Sequence, residues 1–174
     1  MTADRVENLR AWQLTYQFKL AIYELLRAGP LARDFKLRDQ LREAAASAVS
    51  QMEEGFARFY PKDFGRLVVG AKASLLECCG HLRDAVDRGH ITPDARHEMD
   101  TLAREALHEI GGLLDYLQSP EAGRNARRIK ERRAERRQRR KNAPNDEPRT
   151  GSNEPRTEPP NKNREPGTAN EEPV

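Results

Sequence analysis

From Val6 to Arg27 apolar residues recur at Leu9, Trp12, Tyr16, Leu20 and Tyr23, a spacing of three and four that sets them on one stripe of a helix. Phe18, Ile22 and Leu25 lie beside that stripe. This first helix therefore carries more apolar surface than one inward face needs, and a second buried surface is expected, with Phe18 and Ile22 at a contact between subunits. Ala28-Gly29-Pro30 ends the helix, because Gly suits the left-handed position after a helix and Pro cannot continue one. A second helix is expected from about Asp34 to Phe59. Its middle, Glu43-Ala44-Ala45-Ala46-Ser47-Ala48-Val49-Ser50, is rich in small residues that let a neighbouring backbone approach closely. Gly55 inside it costs about 1 kcal/mol relative to Ala, which either tight packing against a bulky neighbour or a bend would explain.

Tyr60-Pro61 breaks the pattern, since Pro disfavours a helical residue before it yet fits the first turn of a new helix. The third helix runs from about Pro61 to Arg88, with Phe64, Leu67, Val68, Ala71, Leu75, Cys78, Leu82 and Ala85 on one arc of roughly 100°. Gly89 closes it. Thr92-Pro93-Asp94 opens the fourth with an N-cap hydroxyl, a proline in the first turn and a carboxylate at the positive helix end. Met99, Leu102, Ala106, Ile110, Leu113 and Leu117 form its inward stripe. Nothing in residues 1–118 alternates as a strand would between hairpin turns. Four long helices with short connections pack most simply as an antiparallel up-down-up-down four-helix bundle, so the expected class is all-α.

Charge divides the chain further. Residues 1–118 hold 16 Lys and Arg against 18 Asp and Glu, residues 119–141 hold 11 against 3, and residues 142–174 hold 4 against 7. The net charge of +3 conceals a strongly basic segment attached to a mildly acidic domain. That segment contains Arg124, Arg127, Arg128, Lys130, Arg132, Arg133, Arg136, Arg137, Arg139, Arg140 and Lys141, with Ile129 as its one large apolar residue. It cannot pack as a core helix; it is either a helical extension or disordered. Cations at this density release counterions from a phosphate backbone and bind it without reading sequence, so RNA or DNA is the expected partner. The bland alternative is a solvated tail, with the bundle acting as a protein–protein scaffold. A membrane surface is not expected to bind this segment, which lacks an apolar face. Beyond it, Glu147-Pro148-Arg149-Thr150 and Glu154-Pro155-Arg156-Thr157 form a degenerate repeat without apolar content, expected to be disordered.

Catalytic chemistry finds little purchase. Glu105 and His108 have the Glu-x-x-His spacing of a di-iron bundle, but a second such motif is missing, and helical geometry turns both outward. Glu77 and His81 read as a surface ion pair one turn apart. Glu53 and Glu54 diverge, as adjacent helical residues do. Ser47, Ser50 and Ser74 lack a nucleophile's partners and read as packing residues. Cys78 and Cys79, the only cysteines, are too few for a zinc site. No enzyme activity, metal or cofactor is expected. Trp12, Tyr16, Phe18, Tyr23, Phe56, Phe59 and Phe64 could offer stacking surfaces for bases, but those on the stripes are expected as core anchors, and Phe56 joins Phe18 and Ile22 as a candidate oligomer contact. No apolar run reaches the roughly 18 residues of a membrane span and no leader opens the chain, so a cytoplasmic location is expected.

The stretch Gln40-Leu41-Arg42-Glu43-Ala44-Ala45-Ala46-Ser47-Ala48-Val49, followed by Glu54-Gly55-Phe56-Ala57-Arg58, resembles the signature of the four-helix bundle proteins first noted as products of 23S ribosomal RNA intervening sequences. Leu9-Arg10-Ala11-Trp12, Phe64 and Ala71-Lys72-Ala73-Ser74-Leu75-Leu76-Glu77 continue the resemblance over roughly residues 6–118. Gln51-Met52-Glu53 and Lys72-Ala73 depart from the usual pattern and mark a divergent member. A related branch contains the accessory variability determinant of diversity-generating retroelements. That branch implies a homo-oligomer, a pentamer, that binds nucleic acid and partners a reverse transcriptase.

Overall fold

The computed structural model describes residues 4–58 and 60–142, and all regular structure among them is helical. A single turn of 3-10 helix at Val6–Asn8 leads into α1 (Arg10–Leu25). A one-turn helix, α2 (Gly29–Arg33), precedes three long helices: α3 (Phe35–Ala57), α4 (Pro61–Asp87) and α5 (Pro93–Gln118). Around the core α1 packs on α3, α3 on α4, α4 on α5 and α5 back on α1, closing an up-down-up-down four-helix bundle. The basic segment forms a further helix, α6 (Pro120–Asn142). The C-terminal repeat expected to be disordered and Phe59 lie outside the described residues.

The helix boundaries follow local chemistry. Asp34 caps α3 by accepting from the Leu37 amide at 3.1 Å, and Thr92 caps α5 through the Ala95 amide at 3.1 Å, each satisfying a donor that the first turn leaves unpaired. Gly89, at φ +69°, ends α4 in the left-handed region. Ala28-Gly29-Pro30 stops α1, and Pro30 then sits in the first turn of α2, whose Leu31 is buried at the bundle end.

The main correction concerns α1. Its inward face is Ala11, Leu14, Thr15, Phe18 and Ile22, not the stripe of Trp12, Tyr16, Leu20 and Tyr23. Phe18 and Ile22 are fully enclosed by their own bundle, so they cannot form the subunit contact expected of them. Thr15 disguises this face: it is polar in sequence, yet its Oγ1 donates to the Ala11 carbonyl at 2.7 Å, which removes the cost of burying the hydroxyl. The aromatic stripe lies about 100° round the helix and is half-buried because its members carry polar ends. Trp12 donates its indole N–H to Glu53 at 3.2 Å and stacks on Tyr16, and the Lys19 ammonium lies 4.2 Å from the Tyr16 ring centroid.

Between α3 and α4 the small-residue stretch behaves as its composition suggests. Ala44, Ala45 and Ala48 are buried. Ser47 and Ser74 meet at 3.1 Å, and Gln51 donates to both hydroxyls at 2.9 and 3.1 Å. Gly55 is the close-packing case rather than a bend: α3 continues through it, and a Cβ there would lie 2.5 Å from the Phe64 ring.

Candidate nucleic-acid interface

α6 is not a continuation of α5. Ser119 is extended, at φ −73° and ψ 152°, and Pro120 follows as the first helical residue. The Ser119 hydroxyl accepts from the Ala122 amide at 3.3 Å, capping the new helix. Ala122 is buried against the end of the bundle, and Asn125 donates to the Tyr116 hydroxyl at 3.1 Å. Ala126 is half-buried and Ile129 is already 38% exposed. These residues fasten only the first turns, where α6 touches α5 and α4.

Arg124, Arg127, Arg128, Lys130, Arg132, Arg136, Arg137 and Arg139 are all exposed. The side chains of Arg133, Arg140 and Lys141 lie outside the described ones. At 100° per residue these cations surround the helix instead of lining one face. Eleven basic residues and three glutamates fall within a helix of 23 residues, about 34 Å long.

Where α6 leaves the bundle it passes the corner between α3 and α4, and an open groove runs along each of its sides. One, of about 700 Å³, is bordered by Phe56, Tyr60, Phe64, Tyr116, Arg128 and Arg132. The other, of about 1000 Å³, is bordered by Lys62 and Arg66 of α4 and by Arg127 and Lys130 of α6, with Asp63 among them. Both volumes lie within the range of small-molecule sites. Tyr60, Pro61, Leu117 and Ala126 border both grooves. Phe56, expected at a subunit contact, is half-buried and meets Phe64 edge-on, with ring centroids 6.0 Å apart. Arg58 hydrogen-bonds Glu54 across one turn, and that partner raises its pKa further.

The matched family covers residues 7–112 and is described as the 23S rRNA-intervening sequence protein. The chain belongs to this family. The match takes in α1 to α4 and most of α5 and stops before α6, so the grooves join a family bundle to a helix beyond the match. No curated protein matches the chain.

Other sequence candidates are placed apart from these grooves. Glu105 and His108 are both exposed on α5, and no group of three or more His, Cys, Asp or Glu that could hold a metal ion occurs among the described residues. His81 and Glu77 approach to 3.6 Å, an ion-pair distance too long for a hydrogen bond. Cys78 is buried, and burial pushes its thiol up to about 12, so it is not a ready thiolate. No helix among the described residues is long and apolar enough to cross a membrane. Sequence reasoning missed Tyr60, Lys62, Arg66 and Tyr116 as companions of the basic segment. The available signal was an aromatic at a helix break, Tyr60-Pro61, flanked by Arg58, Lys62 and Arg66.

Proposed function

We propose that this chain is a cytoplasmic, non-catalytic adaptor that self-associates and holds nucleic acid through α6 without reading its sequence, as an accessory to a reverse transcriptase of a diversity-generating retroelement. The observation that carries the reading is α6 itself, a helix with a net charge of +8 from residues 119–141. Spread over about 34 Å, that is close to one net charge per 4 Å, comparable with one phosphate per 3.4 Å along a nucleic-acid strand. The bundle is mildly acidic and does not supply this charge.

Self-association finds support on outer faces. Leu20 of α1 and Val69 and Leu76 of α4 are each about half exposed, and they take the place of Phe18 and Ile22 as apolar surface open to a second copy. Several copies joined through such faces would present several α6 helices to one polyanion, which multiplies affinity without a new contact. The pentamer and the reverse transcriptase rest on the resemblance to the retroelement accessory branch.

The test is binding of RNA and DNA across a salt series by the full chain and by a chain ending at Ser119. If α6 engages about five phosphates of a single strand, log affinity falls with log salt at a slope of about −3.5, near a hundredfold between 50 and 200 mM. The shortened chain loses most of the affinity and the slope. Equal binding by both chains sinks the α6 mechanism; a flat salt response with a protein partner retained favours the scaffold reading.

A further inference from the structure

We propose that the two grooves beside α6 form one site for unpaired nucleotides, in which a base stacks on Tyr60 while Lys62, Arg66, Arg127 and Lys130 hold the adjoining phosphates. This rests on the nucleic-acid reading above and goes beyond it in two respects. The bundle itself supplies part of the site, and single strands are preferred over duplexes.

Tyr60 precedes α4 in extended conformation, at φ −92° and ψ 131°, because Pro61 excludes a helical residue there. Its side chain is 54% exposed. It borders both grooves at once. One groove sets Phe56, Phe64 and Tyr116 beside Arg58, Arg128, Arg132 and Arg136; the other has no further aromatic residue and carries two cations from each helix, with Asp63 among them. A ring beside a row of cations is the combination that single-stranded binding uses, since every base has a π-face and every nucleotide a phosphate. A duplex offers its phosphates to the cations, but its bases are already stacked and cannot receive Tyr60. Charge alone therefore serves both forms, and the ring serves only the unpaired one. The second groove also differs from the outer part of α6, because Lys62 and Arg66 are held by α4 and pay less ordering entropy than cations on a lone helix.

The experiment uses the full chain, a labelled 12-nucleotide RNA without self-complementarity, the DNA of the same sequence, and the matched duplex, with anisotropy read at several salt concentrations. Tyr60→Ala is expected to weaken both single strands about tenfold, leaving the duplex affinity and the salt slope unchanged. Tyr60→Phe keeps the ring and stays near wild type. Tyr60→Leu keeps bulk without a π-face and gives the same readout as Ala should the smaller residue disturb the corner. Changing Lys62 and Arg66 together to Gln weakens single strands and duplex alike and flattens the single-strand slope by about 1.4. If the wild-type chain binds with steep salt dependence but Tyr60→Ala and Tyr60→Leu alter neither form, or both equally, the stacking site is overturned and the α6 reading stands. If the wild-type chain binds none of the probes, both fall together.

Discussion

The contact between Gly55 and Phe64 makes opposite predictions for chemically identical substitutions in the bundle. A Cβ at Gly55 would lie 2.5 Å from Cδ2 and 3.1 Å from Cε2 of Phe64, and 3.1 Å from Cβ of Leu67. Carbon atoms rest at about 3.5–4.0 Å, so the ring would have to move by about 1 Å. It has little freedom to do so: Phe64 is buried, and Phe56 packs edge-on against it. The Leu67 Cβ is a stem atom and moves only with α4. Ala gains about 1 kcal/mol of helix propensity over Gly, while overpacking costs about 1–3 kcal/mol. Gly55→Ala is expected to lose about 1 kcal/mol net, close to 4 °C in melting temperature for a domain of this size. At Gly80, inside α4, nothing lies within 4 Å of the added Cβ. Gly80→Ala therefore keeps the propensity gain and is expected to stabilise by about 0.5–1 kcal/mol. Urea unfolding followed by helical circular dichroism measures both as shifts of midpoint at constant slope. In a Phe64→Leu background the cost of Gly55→Ala shrinks, because the clashing ring is gone, and a double-mutant cycle reads the coupling. Equal stabilisation by Gly55→Ala and Gly80→Ala would refute the close-packing explanation of Gly55.

Two further predictions address the faces and the charges of the bundle. Phe18→Ala is expected to cost about 3–5 kcal/mol by leaving a cavity, whereas Leu20→Ala, on the outer stripe, changes the stability of one bundle by about 0.5 kcal/mol or less; urea midpoints in the reverse order would return Phe18 to the surface. The Leu37 amide, then His90 and Arg88, hold the Asp34 carboxyl below its ordinary 3.8, so its stabilising effect is present above that pH and is lost as pH falls through the lowered value. Asp34→Ala should lower the melting temperature more at pH 7 than at pH 3, and an equal deficit at both would show that ionisation of Asp34 is irrelevant.

Most of the bundle was legible because its helix ends are written in residues with few alternatives. Thr92-Pro93-Asp94, Tyr60-Pro61 and Gly89 stand where the helices begin or stop, and the stripe of Phe64, Val68, Ala71, Leu75, Cys78, Leu82 and Ala85 is buried on α4. The face of α1 was not legible, since two apolar stripes compete there and size points the wrong way. Trp12 and Tyr16 have larger apolar bodies than Ala11 and Leu14, but their polar ends are better served at the edge of the core. Thr15 enters the core only by bonding to its own helix. Hydrophobic periodicity does not register such local satisfaction, and it assigned Phe18 and Ile22 to an interface when they were filling the monomer.

The basic helix was undecided for a different physical reason: its local terms nearly cancel. Ala, Arg, Lys, Glu and Gln favour a helix, and Arg127 with Glu131 and Glu135 with Arg139 add attractive pairs one turn apart. Against them stand Arg124 with Arg128, Arg128 with Arg132, and Arg132 with Arg136, each repelling by roughly 0.2–0.5 kcal/mol. What tips the balance at the start of α6 is tertiary: the Ser119 cap, the buried Ala122 and the bond from Asn125 to Tyr116. None of these extends past Ile129, so the outer turns have repulsion but no packing to oppose it. A phosphate chain laid along α6 removes that repulsion at the positions where the bundle gives no help. If α6 holds a polyanion as proposed, helix formation in the outer turns and binding would reinforce each other, while Arg127 and Lys130 already border one groove with Lys62 and Arg66.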